Sequence, residues 1–333
     1  MRLSIFVRGD LTRAATVSGR LCRALPLAAV LLAGCSGGGE AVAPIDGPYV
    51  VVLGVAQDGG FPQAACRKEC CAGAWEDPAR RRNVASLGIV DPEGPGRWLI
   101  DATPAFPEQL RMLDRFDPPP GGHGISGILL THAHIGHYAG LIHLGREAMG
   151  AWEVPVYAMP RMRRFLSDSG PWDQLVRLKN IDLRSLTAGE PVALSGRITV
   201  TPIRVPHREE YTEAIGFRIQ GPERAILYVP DIDKWDRWSM SIEEVLAEVD
   251  VAYLDGTFFA DGELEGRDMS QIPHPFIAET MERLADLDAS ERAKVRFLHL
   301  NHTNPALDPA SPESLEIEAA GFRVAVQGER VAF

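Results

Sequence analysis

A single α/β domain is what this 333-residue sequence predicts, and three observations predict it. Short runs rich in Val, Ile, Leu and Phe alternate with segments whose apolar residues recur at helical spacing. The composition, 45% apolar and 24% charged, is that of a folded globular chain. His and Asp residues fall where the predicted strands run out, which is where chemistry is commonly mounted on a rigid sheet.

The first residues are set apart from that domain. Arg2, Arg8, Arg13, Arg20 and Arg23 precede an apolar run at 24–33 that is short for a membrane-spanning helix. The run ends in Leu32-Ala33-Gly34-Cys35 and is followed by Ser36 and three glycines. This pattern resembles a bacterial lipoprotein signal, which implies cleavage before Cys35, lipidation of Cys35 and attachment to a membrane on the exported side. Residues 1–34 are therefore expected to be a signal peptide, 35–47 a flexible linker and 48–333 the domain. The signal carries five arginines against Asp10, so its removal moves the formal charge from -11 to -15. Such a charge repels polyanions, which argues against nucleic acid as a partner and for a small-molecule substrate.

The elements follow in order. Residues 49–55 read as a buried strand, and 56–73, dense in Gly, Pro and Cys, as a long loop. Residues 86–90 and 97–101 form a hairpin about the Pro- and Gly-containing stretch between them, and 106–115 is a helix with Phe106, Leu110 and Leu113 on one face. After a break at 118–122, a strand opens LLTHAHIGHYAGL (129–141), with a helix starting near Tyr138. Then come a strand at 154–158, helices at 160–166 and 171–179, and strands at 197–205, 214–220 and 225–229. Ser241 caps a helix at 241–248, with Glu244 three residues on. Strand 251–254, helix 276–284, strand 295–298 and helix 313–320 precede a closing hairpin about Gln327-Gly328.

The chemistry gathers at His132, His134 and His137. A strand ending in H-x-H presents both imidazoles from one side, since alternate residues share a face, and a third histidine opens the next element. Three histidines with an open position suit a catalytic metal; a histidine-rich loop without metal is the alternative. His207, Asp231 and His299 stand at the ends of later strands, with Asp233 a close rival for Asp231. Of the cysteines, Cys22 lies in the signal and Cys35 is the lipidation site, leaving Cys66, Cys70 and Cys71. An odd number in an exported chain favours metal binding over disulfides alone.

In order and type these motifs resemble the metallo-β-lactamase fold superfamily, with its H-x-H-x-D-H loop, later His, strand-end Asp and final His. More narrowly, GVAQDGGFPQ (54–63), the cysteine cluster, THAHIGH, LDGTF (254–258) and HLNHTNP (299–305) resemble the PQQ biosynthesis protein B branch. The resemblance spans most of 49–333 and implies an αββα sandwich, two mixed sheets flanked by helices, with a metal site at one edge. It assigns His132, His134 and His207 to a first metal, His137 and His299 to a second, and Asp231 as the bridge. Asp231 and His299 would be the catalytic pair. One or two catalytic zinc ions are implied, with manganese or iron as alternatives. A carboxylate between two cations would also hold a water and lower its pKa.

Two features depart from or add to that pattern. Gly136 stands where the superfamily has an aspartate that ligates the second metal. Three outcomes follow: one metal only, a second metal completed by Asp58 or Asp255, or a site that binds without turnover. The last implies that Gly136→Asp would create activity. Related phosphodiesterases of the superfamily close a three-cysteine zinc site with a histidine three residues beyond the last catalytic one, here His302. Cys66, Cys70, Cys71 and His302 are thus expected to hold one structural zinc, with a disulfide as the competing reading. His123, His143 and His274 lie outside any motif and are expected at the surface or in packing, while Tyr211 is near enough in sequence to reach the pocket.

The functional expectation is a lipid-anchored metallo-hydrolase acting on a small ester, phosphodiester or amide. An iron-dependent oxidation related to PQQ biosynthesis protein B and a non-catalytic metal- or ligand-binding lipoprotein are the alternatives.

Overall fold

The structure, a computed structural model, describes residues 45–94, 96–119 and 121–333. The expected signal, Cys35 and most of the linker lie outside the described residues.

Strands β1 (Tyr49–Gly54), β2 (Ser86–Asp91), β3 (Gly96–Ile100), β4 (Gly127–Leu129), β5 (Val154–Ala158) and β6 (Ile181–Ser185) belong to the first sheet. The second sheet takes β7 (Val192–Ala193), β8 (Thr199–Arg204), β9 (Ile215–Gln220), β10 (Ala225–Val229), β11 (Val251–Asp255), β12 (Val295–Leu298) and β13 (Arg323–Val324), and β14 (Arg330–Ala332) returns to the first. Among the described residues each sheet has seven strands, in the orders β14-β1-β2-β3-β4-β5-β6 and β13-β12-β11-β10-β9-β8-β7. Both are mixed: β14 to β3 and β7 to β10 pair antiparallel, β3 to β6 and β10 to β13 parallel.

Side-chain alternation explains the layering. Along β1, Val50 and Val52 enter the layer between the sheets while Val51 and Leu53 face the helices, so the strand reads as one apolar run. Val52, Ile89, Ile100 and Leu129 of the first sheet share a core with Phe217, Ile226, Tyr228 and Leu298 of the second. Helices Phe106–Phe116, Pro160–Asp168 and Trp172–Arg177 cover the outer face of the first sheet through Phe106, Leu113, Met162 and Trp172. Helices Ile242–Ala247, Ile277–Arg283 and Pro312–Ala319 cover the second through Ile242, Leu246, Ile277 and Ile317. The result is helix, sheet, sheet, helix, the αββα order expected.

Three local expectations are corrected, and one strand was not expected at all. The closing hairpin is a crossover: β13 pairs with β12 and β14 with β1, so the turn at Gln327-Gly328 carries the chain from one sheet to the other. The helix expected near Tyr138 starts at Ile135 and ends at Tyr138, followed by a 3-10 turn over Ala139–Leu144. The long cysteine loop contains a helix, Glu69–Glu76, that the glycine and proline content hid. Strand β6 had no apolar signal because it forms a sheet edge, with Arg184 and Ser185 exposed.

The topology aims seven strand ends at one place. Within its own sheet, each of β1, β3, β4, β8, β10, β11 and β12 runs in the same sense. Their carboxyl ends lead to Asp58, Asp101, His132, His207, Asp231, Asp255 and His299. Ligand sites in sheets of this kind commonly lie beyond the carboxyl ends of the strands.

Candidate metal centre

His132, His134, His207 and Asp231 come together, as do Asp58, His137 and His299, and Asp231 touches both groups. In the first, His132 Nε2 and His134 Nδ1 are 2.9 Å apart and His207 Nε2 is 3.2 Å from His134 Nδ1. Nitrogens bound tetrahedrally to one zinc lie about 3.3 Å apart, so the spacing matches a shared ion. Asp231 Oδ2 lies 3.3 Å from His132 Nε2, and Oδ1 3.2 Å from His207 Nε2. In the second, Asp58 Oδ1 is 3.3 Å from His137 Nε2 and 3.7 Å from His299 Nε2, while Asp231 Oδ2 is 3.8 and 4.0 Å from the same two nitrogens.

The donor set fits a cation on its own evidence. Asp58 Oδ1, His137 Nε2, His299 Nε2 and Asp231 Oδ1 are buried and have no hydrogen-bond partner. Buried polar groups are almost always satisfied, so three unpartnered atoms facing one another in the second group, with Asp231 Oδ1 unpartnered beside His207 in the first, call for cations.

Behind the histidines stand two matching supports, one per sheet, that sequence reasoning missed. Asp101, fully buried at the end of β3, accepts from His137 Nδ1 at 2.7 Å and from the Thr131 backbone N–H at 2.8 Å. The Thr131 hydroxyl donates to Asp101 and accepts from His132 Nδ1 at 3.0 Å. In the second sheet Asp255 accepts from Thr257 Oγ1 at 2.7 Å and His274 Nδ1 at 2.8 Å, and the Thr257 hydroxyl accepts from His299 Nδ1 at 2.9 Å. In His132, His137 and His299 the Nδ1 proton is thereby fixed and Nε2 is freed for a metal, the usual role of such outer carboxylates. Asp101 and His299 both hold positive φ, 67° and 62°, backbone strain that non-glycine residues keep at functional sites. His134 is turned the other way: its Nε2 lies 3.2 Å from Glu210 Oε2, which leaves Nδ1 for the site.

The histidines and carboxylates of the centre shift one another strongly. Burial and the neighbouring His137 push His132 well below the usual histidine range. Burial works against protonation of His137 too, but Asp101 and Asp58 outweigh it and raise that residue. For Asp231, burial is overcome by His207, His274 and the histidines hydrogen-bonded to it, and the carboxyl is held well below its ordinary value. Asp58 is lowered in the same way, by His137 and His299 against burial. Both carboxylates are anionic at neutral pH, as ligands must be.

Several open choices are sorted by geometry. Asp231, not Asp233, stands among the histidines; Asp233 accepts from the Lys234 backbone N–H at 2.7 Å and pairs with Arg237 at 2.5 Å. Asp255, offered as a replacement second-metal ligand, is fully engaged by Ile232, Thr257 and His274. His274, expected in packing or at the surface, is buried beside the centre, with Nδ1 3.3 Å from Asp231 Oδ1. Asp255 and Asp231 outweigh burial and raise it to about 9. The only sequence signal for His274 or Asp101 was a polar residue at a strand end or in a loop. His143 does stack on Phe106, and Tyr211 lies exposed against Phe165 with ring centres 5.5 Å apart.

Cys66, Cys70, Cys71 and His302 form a separate group, each with a ligand atom within 4.8 Å of the others. The three cysteines are free, and the Cys66 and Cys70 sulfurs are 3.9 Å apart. Sulfurs sharing a tetrahedral zinc lie about 3.8 Å apart. Burial and the hydrogen bond with Cys66 push Cys71 up to about 12, and burial and Cys66 raise Cys70. Crowded thiolates repel one another, and a cation removes that conflict. Burial and Lys68 lower His302, which is neutral and able to ligate at neutral pH.

The fold and site define the class. Residues 96–299 match the family described as the beta-lactamase superfamily domain, and the chain belongs to that family. Its relatives are more particular: it is 29% identical over 308 residues to coenzyme PQQ synthesis protein B of Xanthomonas oryzae pv. oryzae, covering 85% of this chain and 99% of that protein. The same name and identity apply over 305 residues to a protein of Methylorubrum extorquens, covering 84% and 98%. The crystal structure of zinc-bound PqqB from Methylobacterium extorquens superposes with a TM-score of 0.73 at 25% identity, covering 86% of this chain and all of that one. A diphosphatase of the PhnP family shares the fold at a TM-score of 0.61 and 22% identity, covering 86% of this chain and 97% of that one.

Proposed function

We propose that this chain is a metal-dependent hydrolase of a small ester, phosphodiester or amide. The observation that carries the reading is the convergence of His132, His134, His137, His207 and His299 about Asp231, with Nε2 of His137 and His299 unpartnered and the Nδ1 protons of His132, His137 and His299 fixed behind them. Divalent ions held there supply Lewis acidity and a hydroxide nucleophile at neutral pH. The chain's own residues do the rest. Asp231 spans the two groups of histidines and fixes their separation. His274, whose Nδ1 lies 2.8 Å from Asp255 and 3.3 Å from Asp231, is the buried imidazole beside the centre available to hold a proton there. Ile135 and Tyr211, exposed next to His134 and Glu210, offer apolar surface to a bound substrate.

A second reading has a specific observation behind it: the relatives named coenzyme PQQ synthesis protein B cover nearly their whole length. Histidine and carboxylate ligands also suit iron, and an iron-dependent oxidation is the form that reading takes. One pair of assays separates the two. Protein loaded with zinc or manganese is expected to turn over members of an ester, phosphodiester and amide library, without oxygen uptake. Oxygen consumption by iron-loaded protein with no hydrolysis under any metal reverses the assignment.

The chain is further proposed to work outside the cytoplasm, held to a membrane by lipid on Cys35, on the strength of the 32–35 pattern. No helix among the described residues is long and apolar enough to cross a membrane. In a bacterial host, fatty-acid labelling is expected in the wild type and absent from Cys35→Ser, which moves to the soluble fraction. Equal membrane retention of that variant sinks the anchor.

A further inference from the structure

Gly136 and Asp58 lie far apart in sequence and share one volume in the fold. A Cβ built on Gly136 would stand 2.6 Å from both Asp58 Cα and Asp58 Cγ, closer than real Cβ atoms approach anything. These are backbone and near-backbone atoms, so the collision is not relieved by swinging a flexible side chain. The side chain that the superfamily places just before His137 therefore has no room here, because the carboxylate of Asp58 already fills that place.

From this we infer that Asp58 has taken over the duty of the aspartate missing at 136, and that this chain completes a second metal position with a carboxylate from the loop after β1. The inference rests on the metal-centre reading above and deepens it. Three observations carry it beyond proximity. Asp58 Oδ1 is buried and unpartnered, although the side chain as a whole is 35% exposed, so one oxygen faces inward and the other outward. It faces two imidazole nitrogens, His137 Nε2 and His299 Nε2, that are likewise unpartnered and belong to fully buried side chains. Its loop is held in register with the histidine strand: the Gln57 N–H donates to Leu300 O at 2.8 Å, the Leu300 N–H to Val55 O at 2.8 Å, and Leu300 follows His299 directly.

The alternative carboxylate, Asp255, has no such freedom, since three residues donate to it. Gly136 is then a requirement of the arrangement, not a lesion. The expectation that Gly136→Asp would create activity is corrected: by itself that change drives the new side chain into Asp58 and disrupts the centre.

A reciprocal exchange tests this, read by Mn²⁺ binding in equilibrium dialysis with Mn²⁺ electron paramagnetic resonance. Manganese prefers oxygen and nitrogen ligands and passes over the thiolate cluster. The wild type is expected to bind two Mn²⁺ ions as a magnetically coupled pair. Asp58→Asn, which keeps the shape and removes the charge, and Asp58→Gly should each weaken the second ion at least about 100-fold. Gly136→Asp alone should do the same, and Asp58→Gly combined with Gly136→Asp should regain the coupled pair. Thermal melts accompany each variant, and Asp58→Asn serves if the exchange does not fold. A second Mn²⁺ retained undiminished by Asp58→Asn, or a folded double variant that does not regain it, overturns the inference. A wild type that binds a single ion overturns it while leaving the metal centre standing; one that binds none overturns both.

Discussion

Asp231→Asn is expected to lower kcat for hydrolysis by about 10³-fold, equivalent to about 4 kcal/mol of transition-state stabilisation, and to strip the centre of metal. Its two oxygens face different partners, Oδ1 toward His207 and His274 and Oδ2 toward His132, His137 and His299. An amide keeps the shape but removes the charge and turns one acceptor into a donor. That donor would meet imidazole nitrogens whose other side is already fixed as N–H by Thr131, Asp101 and Thr257. Asp233→Asn provides the control: Asp233 is engaged with Arg237, whose side chain is 67% exposed, and its loss should leave metal content and kcat within about 2-fold, as for a surface ion pair. Elemental analysis and steady-state kinetics on both variants check the pair of outcomes. If the two variants behave alike, Asp231 is not the bridge.

Loss of the thiolate cluster is the second large effect, and it falls on stability. Cys71 is fully buried on the helix Glu69–Glu76, while His302 follows β12, so an ion between them clips the loop after β1 to the far end of the chain. Structural zinc contributes its binding free energy directly to folding. Cys71→Ser is expected to cost about 4 kcal/mol or more, a fall of about 10 °C in Tm. A chelator should lower the wild-type Tm by more than it lowers the variant's, the difference being the share of the thiolate site. Thiol titration of the unfolded, chelated wild type should find Cys66, Cys70 and Cys71 all reactive. A chelator-insensitive Tm with two thiols missing from the titration means a disulfide instead and rejects the zinc site. Because the same loop carries Asp58, the variant should also weaken the second catalytic ion, whereas Asp58→Asn should leave Tm nearly unchanged.

Much of this was legible along the chain because it is local. Strands β5, β10 and β12 have the bounds that their apolar runs predict, Val154–Ala158, Ala225–Val229 and Val295–Leu298. Ser241 caps its helix as its spacing to Glu244 implies, accepting from that backbone N–H at 3.3 Å. Edge and short strands were illegible for the opposite reason: β6 has little apolar face to announce it, and β13 and β14 are specified by the strands they join.

The sequence by itself determined the candidate ligand types, their order and an α/β domain, since histidine spacing and hydrophobic period are properties of neighbours in the chain; the αββα sandwich entered only through the family resemblance of those motifs. The tertiary structure alone decided that Asp231 and not Asp233 enters the centre, that His274 belongs to it, and that Asp58 stands where Gly136 has no side chain. Each of those outcomes is set by which strand ends the two sheets bring face to face. That is a matter of packing between residues distant in sequence, and no local pattern records it.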